Sequence, residues 1–178
     1  AWLQKLHACA EKYPGMRALI ARQTRAAMTD SVLVTFETKV LPEEHPAMRG
    51  AGRENRHSYR YPNGSEIVVG GIDNWERIMS TEYDMVAFFE TTEAREESWE
   101  ILATTRLRNN VMPYQQAIAD CNPDQPGHWL NKRAAAGKMR RLLSRHKDNP
   151  SITPDYLLQL DKLTGFRRKR LRDGMWAA

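Results

Sequence analysis

One run of residues constrains the fold more than any other, because it is almost continuously apolar and ends in a carboxylate. It spans residues 83–90 and reads Tyr-Asp-Met-Val-Ala-Phe-Phe-Glu. A strand with apolar side chains on both sides of its pleat must be covered on both faces, which is typical of parallel sheets in α/β proteins. Such sheets bind their ligands beyond the carboxyl ends of the strands. The run therefore predicts a buried strand that places Glu90 where chemistry takes place.

Other segments supply the helices and strands that such a sheet requires. Apolar residues at helical spacing over residues 2–13, then Pro14-Gly15 and the apolar run 18–21, predict a helix, a tight turn and a buried strand. Further helices are predicted over about residues 26–41, 75–79, 93–107 and 153–174, and a further strand over residues 115–120. The alternation predicts an open, mostly parallel α/β sheet.

A β-hairpin is predicted around Asn63-Gly64, because this dipeptide supplies the positive φ angles of a tight turn. The flanking residues 58–61 and 66–70 have strand character. We interpret the hairpin as a local insertion into the parallel sheet.

Charge is distributed unevenly along the chain. Residues 128–178 hold 13 Lys and Arg against 4 Asp and Glu, whereas residues 1–127 hold 14 against 18. A basic C-terminal third suits a polyanion such as nucleic acid, but a solvated surface of the same charge is common, and both interpretations stay open. No apolar stretch approaches the ~20 residues that cross a bilayer, so we expect a cytosolic protein.

Two strand ends carry candidate site residues. Glu90 is suited to orient water or hold magnesium in nucleotide hydrolysis, although it could equally be a surface residue that ends a strand. Asp120 and Asn122 follow the next predicted strand and could sense a γ-phosphate. They are also residues that favour turns, and a turn is the better interpretation from the sequence alone.

Arginines near element ends are the second group of candidates. Arg106 closes the acidic helix, where it could stabilise the helix dipole or reach the nucleotide of a neighbouring subunit. Arg22 and Arg25 follow a predicted strand and could contact phosphate, DNA or only solvent. The run Arg167-Arg168-Lys169-Arg170 with Arg172 wraps around a predicted helix and forms a basic knob.

Histidine and cysteine spacing offers no metal site. His45, His57, His128 and His146 lack the spacing of metal ligands, and His7 stands alone, so all five are expected to be structural or surface residues. Cys9 and Cys121 are too far apart in sequence for a zinc motif and are expected to be buried thiols.

Three stretches together resemble the ATPase region of the large terminase subunit of tailed bacteriophages. Residues 83–93 with 97–99 and 105–108 resemble its Walker B strand and the acidic helix that follows. Residues 122–130, Asn-Pro-Asp-Gln-Pro-Gly-His-Trp-Leu, are similar to the segment after its coupling strand. Residues 147–150, 156, 160, 163–165 and 170–176 resemble the end of its motor domain. The second and third stretches also argue against a cellular helicase with a related core.

The resemblance implies a RecA-like P-loop ATPase core, with a mostly parallel sheet flanked by helices. Pro14-Gly15 and Arg22-Gln23-Thr24-Arg25 match segments that follow the family's phosphate-binding loop, so the Walker A strand and loop are expected upstream of Ala1. The one Gly-Lys pair, Gly137-Lys138, lacks the rest of that motif. Residues 1–152 would be a partial ATPase domain, and residues 153–178 a helical tail toward the linker to a nuclease domain absent from this chain.

Activity and partners also follow from the resemblance. It implies ATP and Mg²⁺ as cofactors, and translocation of double-stranded DNA into a procapsid by a homo-oligomeric ring, with a portal protein and a small terminase subunit, in the cytoplasm of an infected bacterium. It assigns catalysis to Glu90 and Arg106, metal binding to Glu90, and nucleotide contact or coupling to the following residues: Arg22, Thr24, Asp120 and Asn122.

One departure from the family leaves an alternative open. Phe89 stands where many relatives carry an acid for magnesium. A degenerate, prophage-derived module that binds DNA or serves assembly, without ATPase activity, is therefore the second hypothesis.

Overall fold

The computed structural model describes residues 1–178, apart from the side chain of Arg77. The chain forms two compact units, residues 1–120 and 121–178. Among the described residues, no helix has the length and apolar character needed to cross a membrane.

The first unit contains five helices and five strands. The helices are α1 (Trp2–Lys12), α2 (Arg25–Thr29), α3 (Val32–Lys39), α4 (Trp75–Met79) and α5 (Glu96–Thr105). The strands are β1 (Arg17–Arg22), β2 (Ser58–Arg60), β3 (Glu66–Gly71), β4 (Met85–Phe88) and β5 (Gln116–Ala119). Short 3₁₀ turns lie at Pro46–Met48, Ile72–Asn74 and Thr91–Glu93.

The strands form one sheet in the order β2-β3-β1-β4-β5. Strand β1 pairs in parallel with β3 and with β4, and β4 pairs in parallel with β5. Only β2, at one edge, runs antiparallel to its neighbour. The predicted α/β class with a mostly parallel sheet is therefore confirmed.

The hairpin is part of this sheet, so its interpretation as a local insertion is wrong. Its second strand, β3, pairs with β1 over the full length of both strands, from Arg17 opposite Glu66 to Arg22 opposite Gly71. The turn itself is as predicted, with Gly64 at φ 85° and Tyr61 accepting a hydrogen bond from the Gly64 amide.

Alternate residues of the central strands face different helices. Ala87 and Phe89 share one core with the apolar face of α1 and with Phe36 of α3. Val86 and Phe88 point to the opposite face by the alternation of a strand and are also fully buried. Helix α4 contacts β3 and helix α5 contacts β5. Because both faces of β4 are covered, the apolar run at 83–89 behaves as predicted.

The single helix predicted over residues 26–41 is wrong, since the chain forms α2 and α3 with a break at Asp30–Ser31. At the break, the Arg22 guanidinium and the Ser31 hydroxyl donate hydrogen bonds to the Ala27 carbonyl, at 3.0 and 2.6 Å. These two side-chain donors replace the helical backbone bond at that carbonyl.

The second unit contains three helices: α6 (Trp129–Ala135), α7 (Pro154–Asp161) and α8 (Gly165–Leu171). The helical tail was predicted, including the Thr153 cap, whose hydroxyl accepts from the Tyr156 amide at 3.3 Å. Helix α6 was not predicted. Within this unit part of the basic knob is paired, since Arg170 contacts Asp124 at 2.7 Å and Arg172 contacts Asp161 at 2.8 Å.

Candidate functional site

The carboxyl ends of three adjacent strands meet at one edge of the sheet. Arg22 ends β1, Glu90 lies two residues beyond β4, and Asp120 directly follows β5. Backbone bonds fix these ends: the Asp120 amide donates to the Phe88 carbonyl at 2.8 Å, and the Thr91 amide donates to the Asp120 carbonyl at 2.8 Å. The Thr91 hydroxyl, fully buried, bonds to the same two carbonyls. Glu90 is thus held rigidly beside Asp120.

Glu90 has a left-handed backbone, with φ 49° and ψ 49°. This region is unfavourable for residues other than glycine, asparagine and aspartate, because Cβ crowds the backbone. The conformation reverses the chain at the end of β4 and begins the 3₁₀ turn Thr91–Glu93. Such strained residues persist where the surroundings hold them, and they concentrate at functional sites.

The carboxylates at this edge influence one another. Burial raises the pKa of Glu90 above its ordinary value; Arg22 acts in the opposite direction, while Asp120 and Glu93 raise the pKa further. Burial also raises the pKa of Asp120. Asp120 is nevertheless exposed at the surface, so solvent screens its charge and limits this effect. A carboxylate whose pKa lies above its ordinary value is a better proton acceptor.

Arg22 is the cation of this cluster. Its guanidinium forms an ion pair with Glu93 at 3.2 Å and bonds to the Ser31 hydroxyl at 2.9 Å. It therefore links the carboxylates to the junction of α2 and α3. Thr24 follows two residues later, but its hydroxyl caps α2 by accepting from the Ala27 amide at 3.3 Å.

The structure does not bring Arg106 to this edge within one chain. Its backbone carbonyl accepts from the Tyr83 amide at 2.8 Å, and its guanidinium bonds to the Met79 carbonyl at 2.7 Å. Tyr83 precedes β4, so Arg106 lies at the opposite end of that strand, roughly 20 Å from Glu90 at ~3.3 Å per residue. Its role toward a neighbouring subunit stays a prediction.

The remaining predicted residue, Asn122, belongs to the second unit and is exposed. Phe89 lies in the core of the first unit with only 8% of its surface exposed, so it contributes packing and no ligand. The acidic groups available at the strand edge are therefore Glu90, Glu93 and Asp120.

The amino end of α1 lies near the same edge. Ala1, at the start of α1, lies close enough to Asp120 to interact with it electrostatically. A helix amino end carries unpaired N–H groups and a partial positive charge that favours anions. The edge thus combines carboxylates with a helix end of opposite polarity.

Carboxylates are the main groups that this edge offers to a ligand. Carboxylate oxygens are ligands that Mg²⁺ prefers. Among the described residues, however, Glu90, Glu93 and Asp120 do not bring three ligand atoms within 4.8 Å of one another. The sequence of 178 residues contains no Gly-rich phosphate loop with a following Lys-Ser or Lys-Thr pair. Gly137-Lys138 lies in the second unit, where Gly137 follows the end of α6 at φ 71°.

Comparison with known proteins gives a match in structure. Neither a protein-family model nor a curated protein sequence matches the chain. Among solved structures, the large terminase from a thermophilic bacteriophage aligns with a TM-score of 0.73 at 15% identity, over 98% of this chain and 44% of that chain. Its complex with ADP aligns with a TM-score of 0.73 at 16% identity, also over 98% and 44%. Its complex with ATP-gamma-S aligns with a TM-score of 0.68 at 15% identity, over 98% and 43%.

The chain has the fold of a large terminase. The resemblance that three sequence stretches indicated is thus confirmed at the level of the fold. The chain spans less than half the length of the thermophilic phage terminase chains. In this terminase fold the carboxylate edge is formed by the strands β1, β4 and β5.

Two features of the first unit were missed by sequence reasoning. The ion pair of Arg22 with Glu93 joins residues 71 positions apart, which no local pattern reveals. A cluster of His7, Glu11 and His45 is also formed, although His7 had been expected to stand alone. The four-residue spacing of His7 and Glu11 on a helix was the one available signal.

Proposed function

We propose that this chain supplies the catalytic acid of an ATP-hydrolysing motor that moves double-stranded DNA into a procapsid. The observation that carries the proposal is Glu90, held in a left-handed conformation at the carboxyl end of buried β4, with a raised pKa, on the fold of a large terminase. Structures with this fold contain ADP or ATP-gamma-S.

In this proposal, Glu90 accepts a proton from the attacking water and orients it. Its rigid backbone and its raised pKa both favour that role. Glu90 with Asp120 would hold Mg²⁺, which supplies charge neutralisation at the phosphates. Arg22 would leave its ion pair with Glu93 and contact the nucleotide instead.

The other predicted residues take supporting roles. Thr24 keeps the segment after β1 in place by capping α2. Asn122 would couple hydrolysis to DNA movement, and Arg106 would act on the nucleotide of the next subunit in a homo-oligomeric ring. DNA, a portal protein and a small terminase subunit are the proposed partners, in the cytoplasm of an infected bacterium. The excess of basic residues in 128–178 supports a DNA partner.

The test is DNA-stimulated ATP hydrolysis by the full product of the reading frame that contains residues 1–178. Glu90→Gln keeps the size of the side chain and removes the proton acceptor, so we expect a loss of about 100-fold or more in kcat. Glu44→Gln is the matched control, since Glu44 is an exposed glutamate that also has a positive φ, 56°, in a different loop. Its activity should be unchanged.

Two outcomes would contradict the proposal. Equal hydrolysis by the native protein and Glu90→Gln would remove Glu90 from the mechanism. An absence of hydrolysis, with DNA binding retained, would favour the assembly or DNA-binding module, which buried Phe89 already supports. The 178-residue chain alone is expected to show no steady hydrolysis, because its sequence holds no phosphate-binding loop.

A further inference from the structure

A second cluster of ionisable side chains lies away from the carboxylate edge. It consists of His7, Glu11 and His45, which each place one potential ligand atom within 4.8 Å of the other two. The Nε2 atom of His45 lies 3.1 Å from Oε1 of Glu11. The rings of His7 and His45 are edge to face, with centroids 5.4 Å apart.

Two chain segments supply the three residues of the cluster, and a third is tied to them. His7 and Glu11 are four residues apart on α1 and therefore share one helix face. His45 begins the 3₁₀ turn Pro46–Met48 and caps it through Nδ1, which accepts from the Ala47 amide at 3.2 Å. The hairpin turn is tied to the same end of α1, since Asn63 donates to the carbonyl of Glu11 at 3.1 Å.

The surroundings of His7 suit a metal ligand. The Tyr61 hydroxyl lies 3.0 Å from Nδ1 of His7. The hydroxyl oxygen of Tyr61 can accept a bond from an Nδ1–H. When Nδ1–H of His7 donates to this oxygen, the lone pair of Nε2 is left available to a metal. Histidine ligands commonly have a partner of this kind on the second nitrogen.

We infer that His7, Glu11 and His45 form a binding site for a divalent transition-metal ion of the Zn²⁺ type. Two imidazoles and one carboxylate are a recurrent ligand set for Zn²⁺, with a fourth position left for water. Mg²⁺ and Ca²⁺ prefer oxygen ligands alone and should not bind here. The site is distinct from the Glu90 edge, and the inference does not rest on the proposed ATPase function.

Binding requires one rearrangement at His45. Because Nδ1 accepts from Ala47, Nε2 carries the ring proton and donates it to Glu11. A metal at Nε2 takes the place of that proton, and the neutral ring then carries its single proton on Nδ1. The bond from the Ala47 amide must therefore break. Metal binding consequently joins α1 to His45 while it releases the first turn of Pro46–Met48.

The experiment uses the 178-residue chain with Zn²⁺, and with Co²⁺ as a spectroscopic substitute. We expect one ion per chain, the visible absorption of Co²⁺ in a low-coordinate site, and a rise in Tm of roughly 5–10 °C at a free Zn²⁺ concentration 100-fold above Kd. The amide resonance of Ala47 should shift on binding. Mg²⁺ should not shift the Ala47 resonance.

Variants assign the ligands. His7→Gln and Glu11→Gln should each weaken Zn²⁺ binding by more than about 100-fold, and Tyr61→Phe by about 10-fold, since the latter removes only the partner of His7. His146→Gln, a histidine of the second unit, and Glu90→Gln at the carboxylate edge should bind Zn²⁺ as the native chain does. Retained binding in Glu90→Gln also separates this site from the proposed ATPase site.

Either of two results would overturn the inference. One is the absence of Zn²⁺ and Co²⁺ binding by a chain whose circular dichroism shows it to be folded. The other is binding of unchanged affinity in both His7→Gln and Glu11→Gln, which would assign the ion to another place on the surface.

Discussion

The left-handed backbone of Glu90 can be tested by replacing the residue with glycine. Glycine adopts positive φ without the crowding of Cβ, so Glu90→Gly should relieve the strain at φ 49°. The same change removes the carboxylate that is proposed to act in hydrolysis. We therefore expect a protein that is more stable and inactive.

The magnitude follows from two opposing effects. A left-handed conformation costs a residue with a Cβ about 1–2 kcal/mol. Glycine gains extra freedom in the unfolded chain, which offsets about 0.5–1 kcal/mol of the relief. The expected gain in the free energy of unfolding therefore lies between about 0 and 1.5 kcal/mol, with a central value of about 0.75 kcal/mol.

The pH dependence of this gain has a definite sign. Because burial raises the pKa of Glu90 in the folded state, its contribution to stability is complete below the ordinary pKa of a glutamate and is lost as pH rises through the folded pKa. The native protein thus carries a penalty at neutral pH that it does not carry in acid. The advantage of Glu90→Gly should be larger at pH 7 than near pH 4.

The assay is urea unfolding, with the exchange of β4 amide hydrogens as a local probe. The central value moves the urea midpoint upward by about 0.4 M if m is ~2 kcal/mol/M. Glu44→Gly serves as the positive control, because Glu44 also has a positive φ, 56°. Glu43→Gly serves as the negative control, because Glu43 is the exposed neighbour of Glu44 and has no positive φ. This variant should lose about 0.5–1 kcal/mol in the free energy of unfolding. A loss of stability in Glu90→Gly, alongside a gain in Glu44→Gly, would refute the strain argument.

Three further predictions concern neighbouring features. Asp84→Asn should destabilise the first unit by about 3 kcal/mol in urea unfolding, because the buried carboxylate accepts four hydrogen bonds and an amide NH₂ would face some of the donors. Burial would raise the pKa of Asp84, but the hydrogen bonds outweigh burial and lower it. The stability of the native protein therefore decreases as the pH is lowered into the acid range, and Asp84→Asn should make that decrease smaller. Arg22→Gln should raise the pKa of Glu90 in a ¹³C NMR titration, because Arg22 now lowers it. Gly71→Ala should cost about 3 kcal/mol, since its Cβ would lie 2.4 Å from the Arg25 amide nitrogen.

The elements that depend on local pattern were predictable from the sequence. The apolar run at 83–89 determines β4, because side chains on both faces of that strand need cover. Helix α1 and its stop at Pro14-Gly15 follow from helical spacing and from the positive φ of Gly15, 79°. Glu90 could be chosen as a candidate site residue for the same reason, because the end of the apolar run shows where β4 ends.

Features set by long-range contacts were not predictable. The ion pair of Arg22 with Glu93 joins residues 71 positions apart, and the placement of β3 beside β1 depends on the pairing of whole strands. The cluster of His7 with His45 depends on how the loop before β2 returns to α1. The position of Arg106 could not be predicted either, because a residue at a helix end can lie at either end of the strands.

The three non-glycine residues with positive φ in the described backbone differ in what accompanies their strain. Asn110 belongs to a residue type that tolerates this conformation, and its side chain bonds locally to the Arg108 carbonyl at 2.8 Å. Glu44 is exposed in a loop. Glu90 alone of the three combines strain with a raised pKa beside Asp120. Asparagine or glycine would end β4 with less strain and no added negative charge, so folding does not explain a glutamate there. The proposed role of its carboxylate in hydrolysis would explain it.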